Sequence, residues 1–299
     1  MADARSLAVQ SVLYGNAAYE VTRAARAVAH SAALAVEAGV VGAWTYRVGD
    51  CSPEPALDQQ ERDAIGEIVA SAGGTFDHVY FGENLGSARG HNTLAARGES
   101  DSMLILNPDG LVAPDTVTLL CEMLTDGVGV AEARQVPLEH PKDYDPKTGD
   151  TSWASTACAL TRRDAFDAVG GFDSDTFFLY CDDVDYSWRV KIGGWRVVYV
   201  PAATVFHDKR LGTDGSWLAG AAERYYSAEA ALLLPLKYSR PDVARHVKHL
   251  LETSDDDEAA RALAEVNRRI KEGLLAEPID PKHRVAQFVG PNYARHRFP

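Results

Sequence analysis

Short apolar runs alternate with longer segments of helical spacing through the first part of the chain. Apolar runs of this length predict buried strands, and apolar residues three or four positions apart predict helices. The alternation continues through residues 1–125 and is typical of a parallel, doubly wound sheet. The predicted strands are Leu7–Tyr14, Val40–Val48, Thr75–Phe81 and Ser102–Leu106, and the predicted helices are Ala17–Glu37, Leu57–Ala72, Ser87–Arg97 and Asp115–Leu124.

The chain beyond residue 125 has a mixed pattern that becomes helical from Gly220 onward. The stretch Ser254-Asp255-Asp256-Asp257 supplies an N-cap and an acidic first turn for a predicted helix over Glu258–Leu275. We therefore predict an α/β fold with an αβα half (residues 1–125), a mixed half (126–225) and a helical extension with a tail (226–299). The other predicted elements are the strands Val128–Val136, Ala154–Thr161, Trp195–Val200 and Thr204–His207, and the helix Arg163–Val169.

Composition narrows the class of protein. Hydrophobic residues make up 46% of the chain and charged residues 24%, which is ordinary for a soluble globular protein. The formal net charge of −13 leaves no basic surplus to neutralise phosphates, which disfavours a general nucleic-acid binder. The four cysteines form no CxxC pair, which disfavours a zinc site or a disulfide framework. With no visible signal peptide or transmembrane segment, we expect a cytoplasmic protein, at most peripheral to a membrane.

Candidate chemistry follows the predicted strands, because ligands of such sheets bind beyond the carboxyl ends of the strands. Asn107-Pro108-Asp109 comes directly after an apolar strand. Its amide and carboxylate oxygens suit a hard cation such as Mg²⁺ or Mn²⁺, which can neutralise a departing diphosphate. Asn-Pro and Asp-Gly are also turn dipeptides, so an ordinary turn is the alternative interpretation.

A second candidate is the acidic stretch that contains Asp182, Asp183 and Asp185. On a helix, Asp185 pairs with Arg189 four residues later, and the first two aspartates lie in the first turn, where the dipole favours ionised carboxylates. An ionised carboxylate at the rim of a pocket is what a general base requires. The alternative is an acidic helix start on a solvated face, although the flanking residues are apolar.

Two further motifs are weaker. His207 follows an apolar run and is a ligand candidate only if the fold brings it near Asp109. The glycine-rich stretch Asn84–Asn92 leads into a helix, where backbone N–H groups can approach phosphate. It lacks the dinucleotide-binding fingerprint after the first strand, so a Rossmann dehydrogenase is disfavoured.

Taken in order, these motifs resemble glycosyltransferase family 2, in particular its rhamnosyltransferase-like members. The resemblance covers about Leu7–Lys237, and its most specific stretches are Asn84–Asn92, Leu104–Asp109 and Cys158–His207. That family has the GT-A fold, in which a Rossmann-like αβα nucleotide-binding half joins a mixed, acceptor-binding half.

The resemblance also implies roles for single residues. Asp109 stands where the family binds a divalent metal, Mn²⁺ or Mg²⁺, beside the donor diphosphate, and His207 matches a histidine that completes the coordination. Asp183 takes the place of the aspartate that deprotonates the acceptor hydroxyl. The family's Glu-Asp pair is Asp182-Asp183 here, which leaves open which carboxylate is the base. The residues that the resemblance places near the donor are Tyr14, Asn16, Asp50, Asn84, Arg89, Asn92 and Asn107.

The leading hypothesis is an inverting, metal-assisted transfer of a sugar from a UDP- or dTDP-sugar to an acceptor hydroxyl. The acceptor is a glycan, a lipid-linked or small molecule, or a protein. One alternative is a sugar nucleotidyltransferase, but residues 13–16 lack its basic, glycine-rich signature. The other is a non-catalytic carbohydrate- or partner-binding protein on the same fold. For the helical extension, a homodimer interface is favoured over an acceptor lid or a membrane contact, because its acidic start disfavours anionic lipid.

Overall fold

The computed structural model describes residues 4–207 and 219–295. These residues form one mixed sheet with helices packed against it. The strands are β1 (Arg5–Leu13), β2 (Val41–Asp50), β3 (Thr75–Tyr80), β4 (Ser102–Leu106), β5 (Gly110–Val112), β6 (Val128–Val136), β7 (Cys158–Arg162) and β8 (Arg196–His207). The helices are α1 (Ala18–Glu37), α2 (Gln59–Ser71), α3 (Gly86–Ala95), α4 (Thr116–Met123), α5 (Arg163–Ala168), α6 (Asp182–Ile192), α7 (Ala221–Lys237), α8 (Pro241–Glu252) and α9 (Asp257–Glu272).

The strand order is β3-β2-β1-β4-β7-β6-β8-β5. The first four strands are parallel, as the strand–helix alternation predicts. β7 runs antiparallel to both of its neighbours, β4 and β6, and β5 runs antiparallel to β8. The sheet is therefore parallel in the first half of the chain and mixed in the second. This arrangement brings the ends of β4, β6 and β8 to the same region.

Alanine and valine side chains on one face of α1 let that helix lie close against the sheet. Val21, Ala25, Val28 and Ala32 are all buried there, together with strand residues such as Val9. Small side chains permit the close approach, and burial of this apolar face contributes most of the stability of such a helix. α1 thus covers one face of the parallel half of the sheet.

A second apolar cluster joins α6 to the C-terminal helices. Trp188 of α6 is fully buried, and its ring meets that of Tyr238 edge-on at a centroid distance of 4.8 Å. Leu233 of α7 and Val266 of α9 belong to the same cluster. Since α6 begins with the two candidate carboxylates, the C-terminal helices form part of their support.

The structure differs from the predicted elements in four places. β7 begins at Cys158, four residues after the start of the predicted strand Ala154–Thr161. β8 is a single strand over two predicted ones, with an irregular register at Ala133/Arg134 of its neighbour β6. β5 is only three residues long and has no recognisable pattern of its own. Pro241 starts a separate helix, α8. The predicted boundary between residues 225 and 226 lies inside α7, and the division into domains stays a prediction. Within residues 4–207 and 219–295, no helix combines the length and apolar character needed to cross a bilayer.

Candidate active site

A cavity of about 640 Å³ lies where β4, β6 and β8 end and α6 begins. Both halves of the protein contribute to its walls, and so does the segment after α9. Five predicted site residues line it: Asn107, Asp109, Asp182, Asp183 and His207. Residues that the sequence analysis did not select line it as well, among them Ser87, Gln135, Trp153, Glu223 and Tyr293.

One wall is built by the turn after β4 and the last residue of β8. Antiparallel pairing places Gly110 opposite His207, so the adjacent Asp109 approaches the imidazole. Asp109 Oδ1 lies 3.4 Å from His207 Nε2, and Asn107 Nδ2 lies 3.1 Å from the same nitrogen. The turn thus presents a carboxylate and an amide beside the imidazole. The fold therefore brings His207 near Asp109, which is the condition for His207 to be a candidate metal ligand.

Gln135, at the end of β6, determines which nitrogen of His207 carries the proton. Its side-chain oxygen, Oε1, lies 3.1 Å from His207 Nδ1, and a carbonyl oxygen can only accept a hydrogen bond. Nδ1 therefore donates, and Nε2 accepts a hydrogen bond from the Asn107 amide. In this tautomer Nε2 presents its lone pair on the side of Asp109.

These residues fit a divalent cation that also binds phosphate. An octahedral ion with ligands at about 2.1 Å holds adjacent ligand atoms about 3 Å apart, close to the separation of Asp109 Oδ1 and His207 Nε2. Residues 4–207 and 219–295 contain no group of three or more His, Cys, Asp or Glu side chains that could bind a metal. A cation held by these two side chains would therefore depend on oxygens of a phosphate ligand, as Mg²⁺ sites commonly do.

The opposite wall is the start of α6. Tyr180 and Cys181 both have left-handed backbone conformations, with φ of 66° and 54°, so the chain turns sharply into the helix. Asp182 is 4% exposed, and its Oδ2 has no hydrogen-bond partner among the described residues. Burial and the neighbouring Asp183 raise the pKa of Asp182 to about 7, and the Ser87 hydroxyl opposes this rise.

Asp183 is the more accessible carboxylate of the two. Burial raises its pKa, while the backbone N–H of Val184, 2.8 Å from Oδ1, and the charge of Lys142 lower it. When two carboxylates are this close, one of them retains a proton more readily. Burial, and the absence of a partner for Oδ2 among the described residues, favour Asp182 as the protonated member of the pair.

The third aspartate of the acidic stretch supports the helix and does not line the cavity. Asp185 is fully buried, and the predicted pair with Arg189 is present at 2.7 Å. The Lys237 ammonium lies 2.5 Å from Asp185 Oδ1, and the Tyr238 hydroxyl donates to the same carboxylate at 3.0 Å. Arg189 in turn donates to the carbonyl of Gly171. This network fixes α6 to α7 and to the glycine turn before it.

The other predicted donor residues lie outside the cavity lining. Tyr14 and Arg89 are exposed, and the Asn84 side chain accepts a hydrogen bond from the backbone N–H of Gly86 at the start of α3. Asn16 accepts a hydrogen bond from the backbone N–H of Tyr14. Contacts between these residues and a nucleotide stay predictions.

Asp50 and Asn92 are already engaged within the protein. The buried Asp50 carboxylate accepts hydrogen bonds from the backbone N–H groups of Ser52 and Ala56, at 2.9 and 2.7 Å. The Asn92 side chain exchanges two hydrogen bonds with the backbone of Phe172. Their structural roles are to shape the loop after β2 and to hold α3 to the turn before α6. Their predicted roles toward the donor stay predictions.

Solved structures show which fold places a site in this way. The mannosyltransferase PcManGT from Pyrobaculum calidifontis, in complex with GDP-Man and Mn²⁺, aligns over 91% of this chain and 82% of its own, with a TM-score of 0.56 and 14% identity. GalNAc-T7 with UDP, GalNAc and Mn²⁺ aligns over 95% of this chain and 57% of its own, with a TM-score of 0.64 and 11% identity. The chain has the GT-A fold. At these identities the likeness concerns the fold alone, and it confirms the predicted fold class.

Sequence comparison of the GT-A chain gives a second finding. The chain is 45% identical to N-acetylglucosaminyl-diphospho-decaprenol L-rhamnosyltransferase of Mycobacterium tuberculosis over 69 residues. These residues are 23% of this chain and 22% of the relative. It is 38% identical to the rhamnosyltransferase WbbL of Escherichia coli over 55 residues, and these residues are 18% of this chain and 20% of the relative. The chain thus spans about a fifth of the length of these curated relatives. No protein-family model matches it. The predicted resemblance to rhamnosyltransferase-like glycosyltransferases is confirmed.

Proposed function

We propose that this protein is a glycosyltransferase that moves a sugar from a nucleotide-diphosphate donor to an acceptor hydroxyl with inversion at the anomeric carbon. The observation that carries the proposal is the composition of the cavity. One wall holds the carboxylate pair of Asp182 and Asp183, and the other holds Asp109 and His207. A group-transfer reaction of this kind needs a base on one side of the donor and a means of neutralising the leaving diphosphate on the other.

Asp183 is the proposed general base. It lines the cavity beside Asp182, where an acceptor hydroxyl can bind, and in its ionised form it can accept a proton. It accepts the hydroxyl proton while the oxygen attacks the anomeric carbon, and the bond from that carbon to the diphosphate breaks on the opposite face. Asp182 keeps its proton and can donate a hydrogen bond to the acceptor.

Asp109 and His207 would hold a divalent cation, Mn²⁺ or Mg²⁺, at the diphosphate. When bound, such a cation stabilises the negative charge that develops on the leaving phosphates. Gln135 keeps His207 in the tautomer that offers Nε2, and Asn107 holds the ring in place until the ligand arrives. By their names, PcManGT binds GDP-Man, GalNAc-T7 was solved with UDP and GalNAc, and the first curated relative is a rhamnosyltransferase, which supports a nucleotide-diphosphate sugar as the donor. The donor class that we propose is a UDP- or dTDP-sugar.

The first test is thermal denaturation with UDP, dTDP and GDP, each with Mn²⁺, Mg²⁺ or EDTA. A ligand at 100 times its Kd stabilises the folded state by about 2.7 kcal/mol, which raises Tm by several degrees. A rise with one nucleotide that EDTA abolishes is the expected result and identifies the donor class. A rise that survives EDTA would remove Asp109 from metal binding. No rise with any nucleotide would favour the non-catalytic alternative.

The second test is Asp183→Asn, with the exposed Asp255→Asn as the matched control. Loss of the base is expected to lower turnover by about 10²- to 10⁴-fold and to leave the nucleotide-induced rise in Tm unchanged. The control variant is expected to retain full turnover. Turnover near that of the wild type in Asp183→Asn would exclude this residue as the base.

A further inference from the structure

The tail that follows α9 (residues 274–295) has a defined path across the protein and leads to the cavity. The backbone N–H of Ile279 donates to the carbonyl oxygen of Lys237 at 2.7 Å, and the Ser239 hydroxyl donates to the carbonyl oxygen of Ile279 at 2.8 Å. The Asp280 carboxylate accepts hydrogen bonds from the backbone N–H groups of residues 284–286. These contacts attach the tail to the end of α7 and fix its first turn.

Phe288 anchors the middle of the tail on α6. Its ring meets that of the buried Trp188 edge-on, at a centroid distance of 5.3 Å. The backbones of Val289 and Asn292 then pair across a short turn, with the N–H of Val289 2.7 Å from the carbonyl oxygen of Asn292. The next residue, Tyr293, lines the cavity. The tail thus brings an aromatic side chain to the site from a segment that is distant in the sequence.

Tyr293 forms an aromatic cluster in the cavity wall with His140 and Trp153. The Tyr293 and Trp153 rings are nearly perpendicular, with an interplanar angle of 87° and centroids 5.0 Å apart. The centroid of the His140 ring lies 5.8 Å from that of Trp153 and 6.0 Å from that of Tyr293. Trp153 is only 4% exposed and has the Lys142 ammonium 3.3 Å from its ring centre, whereas Tyr293 and His140 are partly exposed. Tyr293 and His140 are therefore the members of the cluster that a ligand can contact.

A hydrogen-bonded serine of α6 holds the aromatic cluster beside the proposed base. The backbone N–H of Ala154, the residue after Trp153, donates to the Ser187 hydroxyl oxygen at 3.0 Å. The same hydroxyl donates to the carbonyl oxygen of Asp183 at 2.8 Å. A single side chain therefore joins the backbone next to Trp153 to the backbone of Asp183, and both residues line the cavity.

The cavity walls match the two kinds of surface that a sugar ring presents. The C–H groups on one face of the ring are apolar and slightly positive, and the face of an aromatic ring is negative, so the two attract each other. The hydroxyl groups around the ring need hydrogen-bond partners, and carboxylates accept strongly from them. The walls hold the aromatic cluster together with the carboxylates of Asp182, Asp183 and Glu223. An aliphatic chain in the same place would leave those carboxylates without partners, which is costly in a site removed from water.

We propose that the aromatic cluster is the subsite for the sugar ring of a saccharide acceptor, and that Tyr293 packs against that ring. The inference rests on the proposed function, in which the acceptor hydroxyl lies next to Asp183. It assigns the tail to the acceptor side of the cavity, while the diphosphate of the donor binds at the wall of Asp109 and His207. Trp153 and His140 hold the Tyr293 ring in place.

The experiment is saturation-transfer-difference NMR with the methyl glycosides of glucose, galactose, mannose, rhamnose and N-acetylglucosamine, with the aromatic protons of the protein irradiated. At least one glycoside is expected to receive saturation on its ring C–H protons, and octanol, as an aliphatic probe, is expected to displace it poorly. Tyr293→Ala is expected to raise the Kd of that glycoside about 5- to 30-fold, and Tyr293→Phe, which keeps the ring, to stay within about twofold of the wild type. Tyr19→Ala removes an exposed tyrosine of α1 and is the matched control, expected to bind as the wild type does.

Transfer kinetics with dTDP-rhamnose and UDP-glucose as donors give a second measurement. Tyr293→Ala is expected to raise KM for the glycoside with little change in kcat, and to leave nucleotide release to water unchanged when no glycoside is present. A purely structural role of Tyr293 would lower both rates together.

Three results would overturn the inference: no saturation of any glycoside, an unchanged Kd in Tyr293→Ala, or octanol binding more tightly than every glycoside. Loss of nucleotide release to water in Tyr293→Ala would also contradict it, because the tyrosine would then act on the donor. If glycoside binding depends on Tyr293 and neither nucleotide sugar is turned over, the proposed function fails while the saccharide subsite stands.

Discussion

The buried charge network between α6 and α7 gives a sharp prediction about stability. Lys237 is 6% exposed, and its ammonium lies 2.6 Å from Asp173 Oδ2 and 2.5 Å from Asp185 Oδ1. Lys237→Met keeps most of the apolar stem of the side chain and removes the ammonium, with its charge and its hydrogen-bond donors. Asp185, which is fully buried, then loses one of its three partners.

The expected loss follows from how buried charges behave. Removing one partner of a buried ion pair costs about 3–5 kcal/mol, because the remaining charge stays out of water without compensation. Arg189 and Tyr238 still contact Asp185, so we expect the lower end, about 3 kcal/mol. For a domain of this size, that corresponds to a fall in Tm of roughly 6–10 °C.

Urea denaturation followed by circular dichroism measures the change, and Lys248→Met is the matched control. Lys248 pairs with Glu252 at 3.7 Å, with both side chains about half exposed, so its loss is expected to cost less than about 0.5 kcal/mol. Equal effects of the two substitutions would refute the role assigned to the network. An unchanged slope of free energy against urea would show that the folded state remains compact in both variants.

Three further predictions follow from single contacts. Gly86→Ala is expected to destabilise the fold by at least about 2 kcal/mol, because φ is 68° and the new Cβ would clash with the Phe178 carbonyl oxygen. Gly273→Ala, with φ of 69° and open space around it, should cost only about 1 kcal/mol in the same urea experiment. Gln135→Leu is expected to weaken Mn²⁺ binding in the presence of dTDP by about 10- to 100-fold, measured by calorimetry, and unchanged affinity would mean that the His207 tautomer is set elsewhere. Asp182 has a folded-state pKa of about 7, above its unfolded value, so the folded state loses stability as pH rises from about 4 to 7 and the carboxyl group ionises. The Tm of Asp182→Asn should therefore increase relative to that of the wild type between pH 4.5 and pH 8. A difference in Tm that stays constant with pH would contradict the raised pKa.

The first four strands could be predicted from the sequence because each is a short stretch rich in apolar residues, with a segment of helical spacing after it. The same rule placed Asp109 at a strand end, and the register of β5 and β8 then brings His207 beside it. β5 could not be predicted because a strand of three residues is too short to show a periodic pattern and forms only by pairing with a distant strand. Gln135 also lies next to the end of a strand, but in the mixed half of the chain the sequence does not predict which strand ends share an edge of the sheet.

The ion pair of Glu132 and Lys142 illustrates a different limit. The two residues meet only because the loop after β6 folds back over Trp153, and no local pattern encodes the path of a loop. Asp50 and Asn92 show a second limit. The resemblance places both residues near the nucleotide donor, and in the structure their side chains form hydrogen bonds with the backbone of the protein itself. A polar side chain at a strand end therefore indicates either a ligand contact or a loop anchor, and the sequence alone does not separate the two.

The strand order also affects when each part of the protein can form during its synthesis. β1–β4 pair with one another within the first 106 residues, so this half of the sheet can assemble on the ribosome before the rest of the chain exists. The helix that carries Asp182 and Asp183 is fixed later, because Tyr238, which holds Asp185, follows it by 53 residues. We expect the nascent chain to complete the parallel half of its sheet first and to fix the wall that holds Asp182 and Asp183 only when α7 has emerged.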